Sequence, residues 1–450
     1  MKTYFARTAL IIAAILMHGL AGAAGSLDWP QYLGPYRNST SNQKGILRAW
    51  PTNGPEVIWT VSVGRGFGGP AVKDGKVFLL DRDDKVGDNL RCFDLDTGRE
   101  LWHFAYEAPG TVMFPGSRSV PTVDGNRVYT CGHNGDLYCV DIPTHKPLWH
   151  KNVWTDFGGS RLPTWAITQC PLIYQDLLII ASQAPQAGVV AYDKLTGNVK
   201  WATPRLGYVG YVSPTILKIH GQDQVIMVTP STNPFQRTRP DENEMGTVVG
   251  LDPFSGKILW RYTNWHCHIS VANAVEAGDN RLLIVGGYEL GATLIKIEKD
   301  ATGNFSTREV FTTREFGDQT KPPIFYQGHF YAQYGTNDRR DGLVCMNLEG
   351  KILWKTRREP DFNKGSMILA DGLILATDGA QTLYLIEPDP AGFKPLASAK
   401  VLGEGGTGSE NDRLASRVGG RTQNWAPLAL AQGKLLIRDQ TQMKCLKIAQ

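Results

Sequence analysis

The sequence predicts an all-β fold: a single eight-bladed β-propeller of four-stranded antiparallel blades, the last blade closed by the N-terminal strand around Trp59. Three observations predict it. One phrase recurs along the 450 residues, a hairpin signal stands upstream of most copies, and tryptophans are spaced at blade-sized intervals.

The phrase first appears at Leu90–Trp102, where an alternating stretch reaches Asp94, turns at Thr97-Gly98 and continues to Trp102. It returns with Asp141, Thr144 and Trp149, with Asp193, Thr196, Gly197 and Trp201, and with Asp252, Ser255, Gly256 and Trp260. A shorter copy ends at Trp354. Each copy reads as a strand, a tight turn in which Gly supplies the positive φ, and a second strand carrying Trp. Upstream, Ala71–Leu80, Thr122–Thr130, Ile368–Ala376 and Leu428–Ile437 each place a turn between two apolar runs, giving the other two strands of a blade.

The spacing from Trp59 to Trp102 is 43 residues, followed by 47, 52 and 59 up to Trp260. The next interval, 94 residues to Trp354, holds two repeats, one of them Leu294–Glu298 leading to Phe311. The final repeat stops after Ile448 with three strands, whereas the strand at Trp59 has no partners before it. Joining them gives eight blades and leaves no exposed sheet edge. The domain reading is a signal peptide at 1–23, an N-terminal extension at 24–54 and the propeller at 55–450.

Lys2 and Arg7, an apolar stretch from Thr8 to Leu20 and the small residues Ala21 to Ala24 make the layout of a secretory signal peptide. The apolar core is too short for a convincing membrane span, and Ala23 stands where a lipoprotein would carry its Cys. The expectation is a soluble periplasmic protein. Its formal charge of +4, which falls to +2 without residues 1–23, indicates no nucleic-acid partner. The seven Cys include no CxxC and no zinc spacing. Cys92, Cys139, Cys345 and Cys445 share one repeat position, filled elsewhere by Ala191 and Gly250, so they read as small packing residues.

The Asp-x-x-Thr/Ser-Gly-x-x-x-Trp repeat resembles the PQQ (pyrroloquinoline quinone) propeller repeat, which builds quinoprotein alcohol dehydrogenases and the outer-membrane assembly lipoprotein BamB. Asp28 to Asn38, followed by Pro55 to Trp59, is similar to the start of exported bacterial propellers of this type. The resemblance covers nearly all of the chain after residue 23. It implies the fold and, for a dehydrogenase, PQQ with Ca²⁺, an acidic residue and an Asn as metal ligands, and an Asp base. Dehydrogenases of this fold commonly carry a vicinal Cys-Cys over the cofactor, which this sequence lacks.

The long loops entering the blades are rich in Arg and aromatics. Candidates for a ligand or partner face are Arg65, Arg82, Arg118, Arg161, Trp165, Tyr211, Trp265, His266, His268, Arg339, Arg421 and Trp425. One reading is an anion or peptide site at the channel mouth, held by Arg forks and aromatic surfaces. The other is a set of ion pairs between loop tips. His266 and His268, two apart, would face the same way on a strand, but a metal site needs further ligands and none is adjacent. The tryptophans of the repeat (Trp59, Trp102, Trp149, Trp201, Trp260, Trp354) read as inter-blade core, and the turn aspartates as caps of backbone N–H groups. The insertions 230–246 and 403–425 are long enough to carry function. Two functions follow: a non-enzymatic exported propeller that binds a protein partner or small anionic ligand on its long-loop face, or a PQQ-dependent alcohol or sugar dehydrogenase.

Overall fold

A computed structural model describes residues 27–231, 248–336, 339–402 and 423–450. The signal-peptide reading, Arg421 and most of both insertions lie outside these residues.

The described residues form eight antiparallel sheets arranged as propeller blades. Blade 1 is Ala71–Lys73, Lys76–Asp83, Gly87–Asp94 and Glu100–Glu107. Blades 2 to 7 repeat this order, with inner strands at Thr122–Asp124, Leu172–Tyr174, Thr215–Ile219, Val275–Glu276, Ile324–Tyr326 and Met367–Ala370. Blade 8 takes Ala429–Ala431, Lys434–Arg438 and Gln442–Lys447 from the far end of the chain and Val57–Ser62 as its outer strand. Trp59 lies opposite Cys445, so the ring closes where the Trp spacing predicts. Two blades have no Trp on the outer strand: blade 5, where Leu294 pairs with Phe311 as read, and blade 7, whose outer strand is Pro395–Lys400.

The register explains the small residues of the repeat. Cys92, Cys139, Ala191, Gly250, Cys345 and Cys445 each lie directly opposite a Trp of the outer strand. A Cβ on Gly250 would stand 2.2 Å from Trp260 Nε1. All seven Cys are free and buried. Just after this pair the ladder slips by a residue in every blade, a bulge that twists the outer strand.

Neighbouring blades are locked by the same tryptophans. Trp59, Trp149 and Trp201 donate Nε1–H to the carbonyls of Leu95, Lys194 and Pro253 (2.9, 3.1 and 3.0 Å), each the residue after the next blade's turn aspartate. The aspartates cap their turns: Asp94 Oδ1 accepts from Thr97 N and Oγ1, and Asp252 Oδ1 from Ser255 N and Oγ. The turn Gly then lies flat on the preceding blade's indole. Gly256 (φ 69°) leaves 2.5 Å between an added Cβ and Trp201 Cε3. Blade 2 has His145 at this position (φ 61°), and its ring stacks on Trp102 at 4.8 Å. Gly256→Ala combines left-handed backbone strain with overpacking, and about 2–4 kcal/mol of stability is expected to go. A fall in the urea midpoint, with altered Trp fluorescence, checks it.

The stretch expected as a simple extension does more. Residues 28–46 run into the centre of the ring. Trp29 bridges Val72 of blade 1 (2.9 and 2.8 Å), and Pro30 O accepts from Val123 N of blade 2 (2.8 Å). The Arg37 guanidinium donates to the carbonyls of Pro171 and Pro214, just before the inner strands of blades 3 and 4 (3.0 Å each). Thr40–Ser41 adds a parallel fifth strand to blade 7, and Ile46 bridges Ala449 beyond blade 8. This segment plugs the channel from the turn side. It leaves a 420 Å³ recess against the inner strands of blades 4 to 6.

Candidate functional site

Above the plug, on the side of the loops that enter each blade, lies a cavity of 350 Å³ on the propeller axis. The loops before all eight inner strands reach it, and Tyr32 of the plug forms its floor. Most of the lining therefore comes from positions a few residues before an inner strand.

Three aromatic walls surround the space. Phe67 stacks on Trp425 (5.4 Å between centroids, 25°), and Phe114 leans on both rings. Trp165 meets Tyr211 edge to face at 5.2 Å. Tyr288 Oη accepts from Gln319 Nε2 at 2.8 Å. Three cations stand among them. Arg118 lies over the Phe67 ring at 5.5 Å and donates to the carbonyls of Met113, Phe114 and Gly116. Lys321, 9% exposed, donates Nζ–H to Trp425 O at 2.9 Å. Lys364, 6% exposed, sets Nζ 5.0 Å over the Trp425 ring. The described lining contains no carboxylate. Asp318, three residues before Lys321, accepts from the backbone N–H groups of Thr320 (2.9 Å), Lys321 (3.0 Å) and Gln333 (3.3 Å).

Burial pushes both lysines down to about 8; the Arg340 charge adds to the effect at Lys364, and Asp318 opposes it at Lys321. Between pH 8 and 10.5 the unfolded chain keeps protons that the folded one has released, so stability rises with pH across that window. At pH 7 both ammonium groups are held at a cost. Lys364→Met is expected to raise stability at pH 7 by about 1–3 kcal/mol and to flatten the rise above pH 8. Urea titrations at pH 7 and pH 9.5 check both.

Of the residues expected on the ligand face, the structure brings Arg118, Trp165, Tyr211 and Trp425 to the cavity. His268 lies beside it, half-buried against Tyr288 at 5.4 Å. The others fall elsewhere. Arg82, 3% exposed, is corrected to a structural role: its strand is covered on both faces, and it pairs with Asp84 (2.7 Å) and Asp88 (3.0 Å). It also donates to the carbonyls of Ala108 and Gly110. Trp265, 3% exposed, belongs to the apolar core of blades 3 to 5, not to the face. His266 is exposed and His268 half-buried, and both lie past the strand Ile258–Tyr262, so they do not share a strand face. Arg65 and Arg161 are not in the lining, and Arg339 opens the strand Arg339–Asn347 of blade 6. Sequence reasoning missed Phe67, Phe114, Tyr288, Lys321 and Lys364. Spacing before an inner strand was the available signal for all but Tyr288, which enters from the hairpin between Arg281–Gly286 and Gly291–Lys299 of blade 5.

Comparison with known proteins agrees with this architecture. The family model described as outer membrane protein assembly factor BamB matches residues 86–266. Over these residues the chain resembles the PQQ-repeat β-propellers. The sequence is 26% identical over 193 residues to the quinohemoprotein alcohol dehydrogenase of Comamonas testosteroni, covering 40% of this chain and 26% of that enzyme's length. It is 22% identical over 348 residues to BamB of Moranella endobia (strain PCIT), covering 70% of this chain and 78% of that protein. Crystal structures repeat the pairing: the Comamonas testosteroni enzyme superposes with a TM-score of 0.63 at 14% identity (95% and 82% covered). BamB from Moraxella catarrhalis gives 0.53 at 14% identity (87% and 99% covered). At these identities the likeness shows the β-propeller fold, which the matched enzyme and assembly factor share. Among the described residues no helix is long and apolar enough to cross a membrane.

Proposed function

We propose that this propeller is an exported binding protein for a small, flat, anionic molecule held in the axial cavity. One observation carries the reading: three cations and no carboxylate among the described residues around an aromatic-walled space of 350 Å³. Stacked rings suit a planar ligand, and Arg118, Lys321 and Lys364 suit its carboxylates in a site of low dielectric.

The fold family implies PQQ with Ca²⁺. The donor set fits the flat polycarboxylate and does not fit the metal. Ca²⁺ takes hard oxygen ligands with carboxylates among them, whereas this lining is cationic and Asp318 is engaged by backbone N–H groups. No group of three His, Cys, Asp or Glu that could hold a metal ion occurs among the described residues. The proposal therefore takes the anion without a divalent cofactor.

Quenching of tryptophan fluorescence by PQQ and by naphthalene-2,6-dicarboxylate tests it. Saturable quenching that survives EDTA, weakened about tenfold or more in Lys364→Met or Arg118→Met, is the expected result. Binding that requires Ca²⁺ and supports alcohol-dependent dye reduction would replace it with the dehydrogenase reading. No quenching, with an envelope protein retained on the purified chain at moderate salt, would replace it with a protein-partner reading. Export is part of the proposal; a mature protein beginning at Ala24 is its expected signature.

A further inference from the structure

Lys364 differs from the other two cations of the cavity. Arg118 and Lys321 spend N–H groups on backbone carbonyls, but Lys364 Nζ has no hydrogen-bond partner among the described residues. A buried ammonium normally finds an acceptor, so an orphaned one aimed into a cavity points to a group the ligand supplies.

Its mounting is rigid. Lys364 holds φ at 60°, in the left-handed region that non-glycine residues seldom occupy. The peptide on either side is pinned: Asn363 N–H donates to Asp378 O at 3.0 Å, and Gly365 N–H to Gln333 Oε1 at 2.8 Å. Gln333 is itself fixed by donating to Thr377 O at 2.8 Å. Gly365 has no room for a side chain, since an added Cβ would lie 1.9 Å from Thr377 O. Phe114 and Tyr288, also in the lining, are left-handed too (φ 62° and 55°). Such outliers persist where the surroundings over-determine them, as in sites that aim a side chain.

An amine that is desolvated, unpaired and set near other cations is held partly as the free base, and the free base is a nucleophile. We propose that Lys364 captures a carbonyl group of the cavity's ligand as a Schiff base, the ligand being an aromatic aldehyde or keto acid that also carries a carboxylate. The Nζ lone pair attacks the carbonyl carbon, a C–N bond forms, and the C=O π electrons move to oxygen. A proton passes from nitrogen to that oxygen to give the carbinolamine. Loss of the hydroxyl together with the second N–H proton releases water and leaves C=N. No oxidant or reductant enters, and water reverses the step. Arg118 and Lys321 face the carboxylate, and the stacked wall of Phe67 and Trp425 holds the ring beside Nζ.

The inference rests on the cavity being the ligand site, and its test separates the two. The full protein is incubated with 6-formyl-2-naphthoate and sodium cyanoborohydride, digested, and mapped by mass spectrometry. The expected result is a reduced adduct on Lys364 that forms at least about tenfold faster than on any other lysine, is suppressed by naphthalene-2,6-dicarboxylate, and is absent in Lys364→Arg. Adducts on surface lysines with Lys364 unlabelled, while the dicarboxylate still quenches, would overturn the Schiff base and leave the anion site standing. Rapid labelling of Lys364 without dicarboxylate binding would keep the reactive amine and overturn the proposed ligand class. Failure of both would overturn both. The mapping is done on the wild-type chain, so it does not depend on the variant folding.

Discussion

Replacing residues 55–62 by a Gly/Ser linker of equal length is expected to abolish the cooperative unfolding transition of the wild-type protein. The outer strand Val57–Ser62 runs alongside Gln442–Lys447, with Trp59 against Cys445 and its indole bonded to Leu95 O of blade 1. Without it blade 8 keeps three strands and blade 1 loses the ring packed against Gly98. The lost burial of Trp59 alone is worth about 3–5 kcal/mol, a large share of what a domain has in total. The strand Gln442–Lys447 would also become a free edge that can pair with another molecule. Differential scanning calorimetry and light scattering check this: a broadened or missing peak with aggregation is the outcome consistent with closure. A linker protein that melts at the wild-type temperature would show that the ring does not depend on this strand.

The second large effect is expected at Arg82. Arg82→Ala leaves Asp88 buried without its partner and strips donors from the carbonyls of Ala108 and Gly110, at a cost of about 3–5 kcal/mol. Even with Arg82 present, burial pushes the Asp88 carboxyl up to about 6. A raised carboxyl favours the protonated folded form, so its contribution is present at low pH and lost as pH rises through 6. The deficit of Arg82→Ala is therefore expected to be larger at pH 7.5 than at pH 5, where Asp88 is already protonated. In Arg82→Met/Asp88→Leu both charges go together and part of the loss is expected back. A double variant no better than the single would assign Arg82's role to the carbonyls of Ala108 and Gly110 instead.

The blades were legible in the sequence because their constraints repeat. A turn Asp, a left-handed Gly and a Trp opposite a small residue recur in most blades for the same reasons of packing, and a repeat makes such reasons visible. Part of the cavity was legible too, for a different reason: Arg118, Trp165, Tyr211 and Trp425 are conspicuous residue types in loops before inner strands. Lys321 and Lys364 were not. A lone Lys in a loop looks solvated, and nothing in the letters reveals that its head group is enclosed or, at Lys364, that the backbone turns left-handed. Arg82 and Trp265 misled in the opposite sense, because Arg and Trp suggest a binding face when neighbouring blades can bury them as readily. The plug stayed hidden since its contacts, one or two per blade, have no period to detect.

That plug also constrains the order in which the molecule can be assembled. Residues 28–46 come early in the chain, yet their partners are spread from Val72 to Ala449. Contacts of such sequence separation form late, since the entropy of closing the intervening chain must be met before they add stability. The segment made before the blades is thus expected to be the last to settle, seating itself from the turn side once blades 7 and 8 exist. Because Tyr32 forms the cavity floor, ligand binding becomes a readout of finished folding: a ring with all eight blades but an unseated plug would have walls and no base.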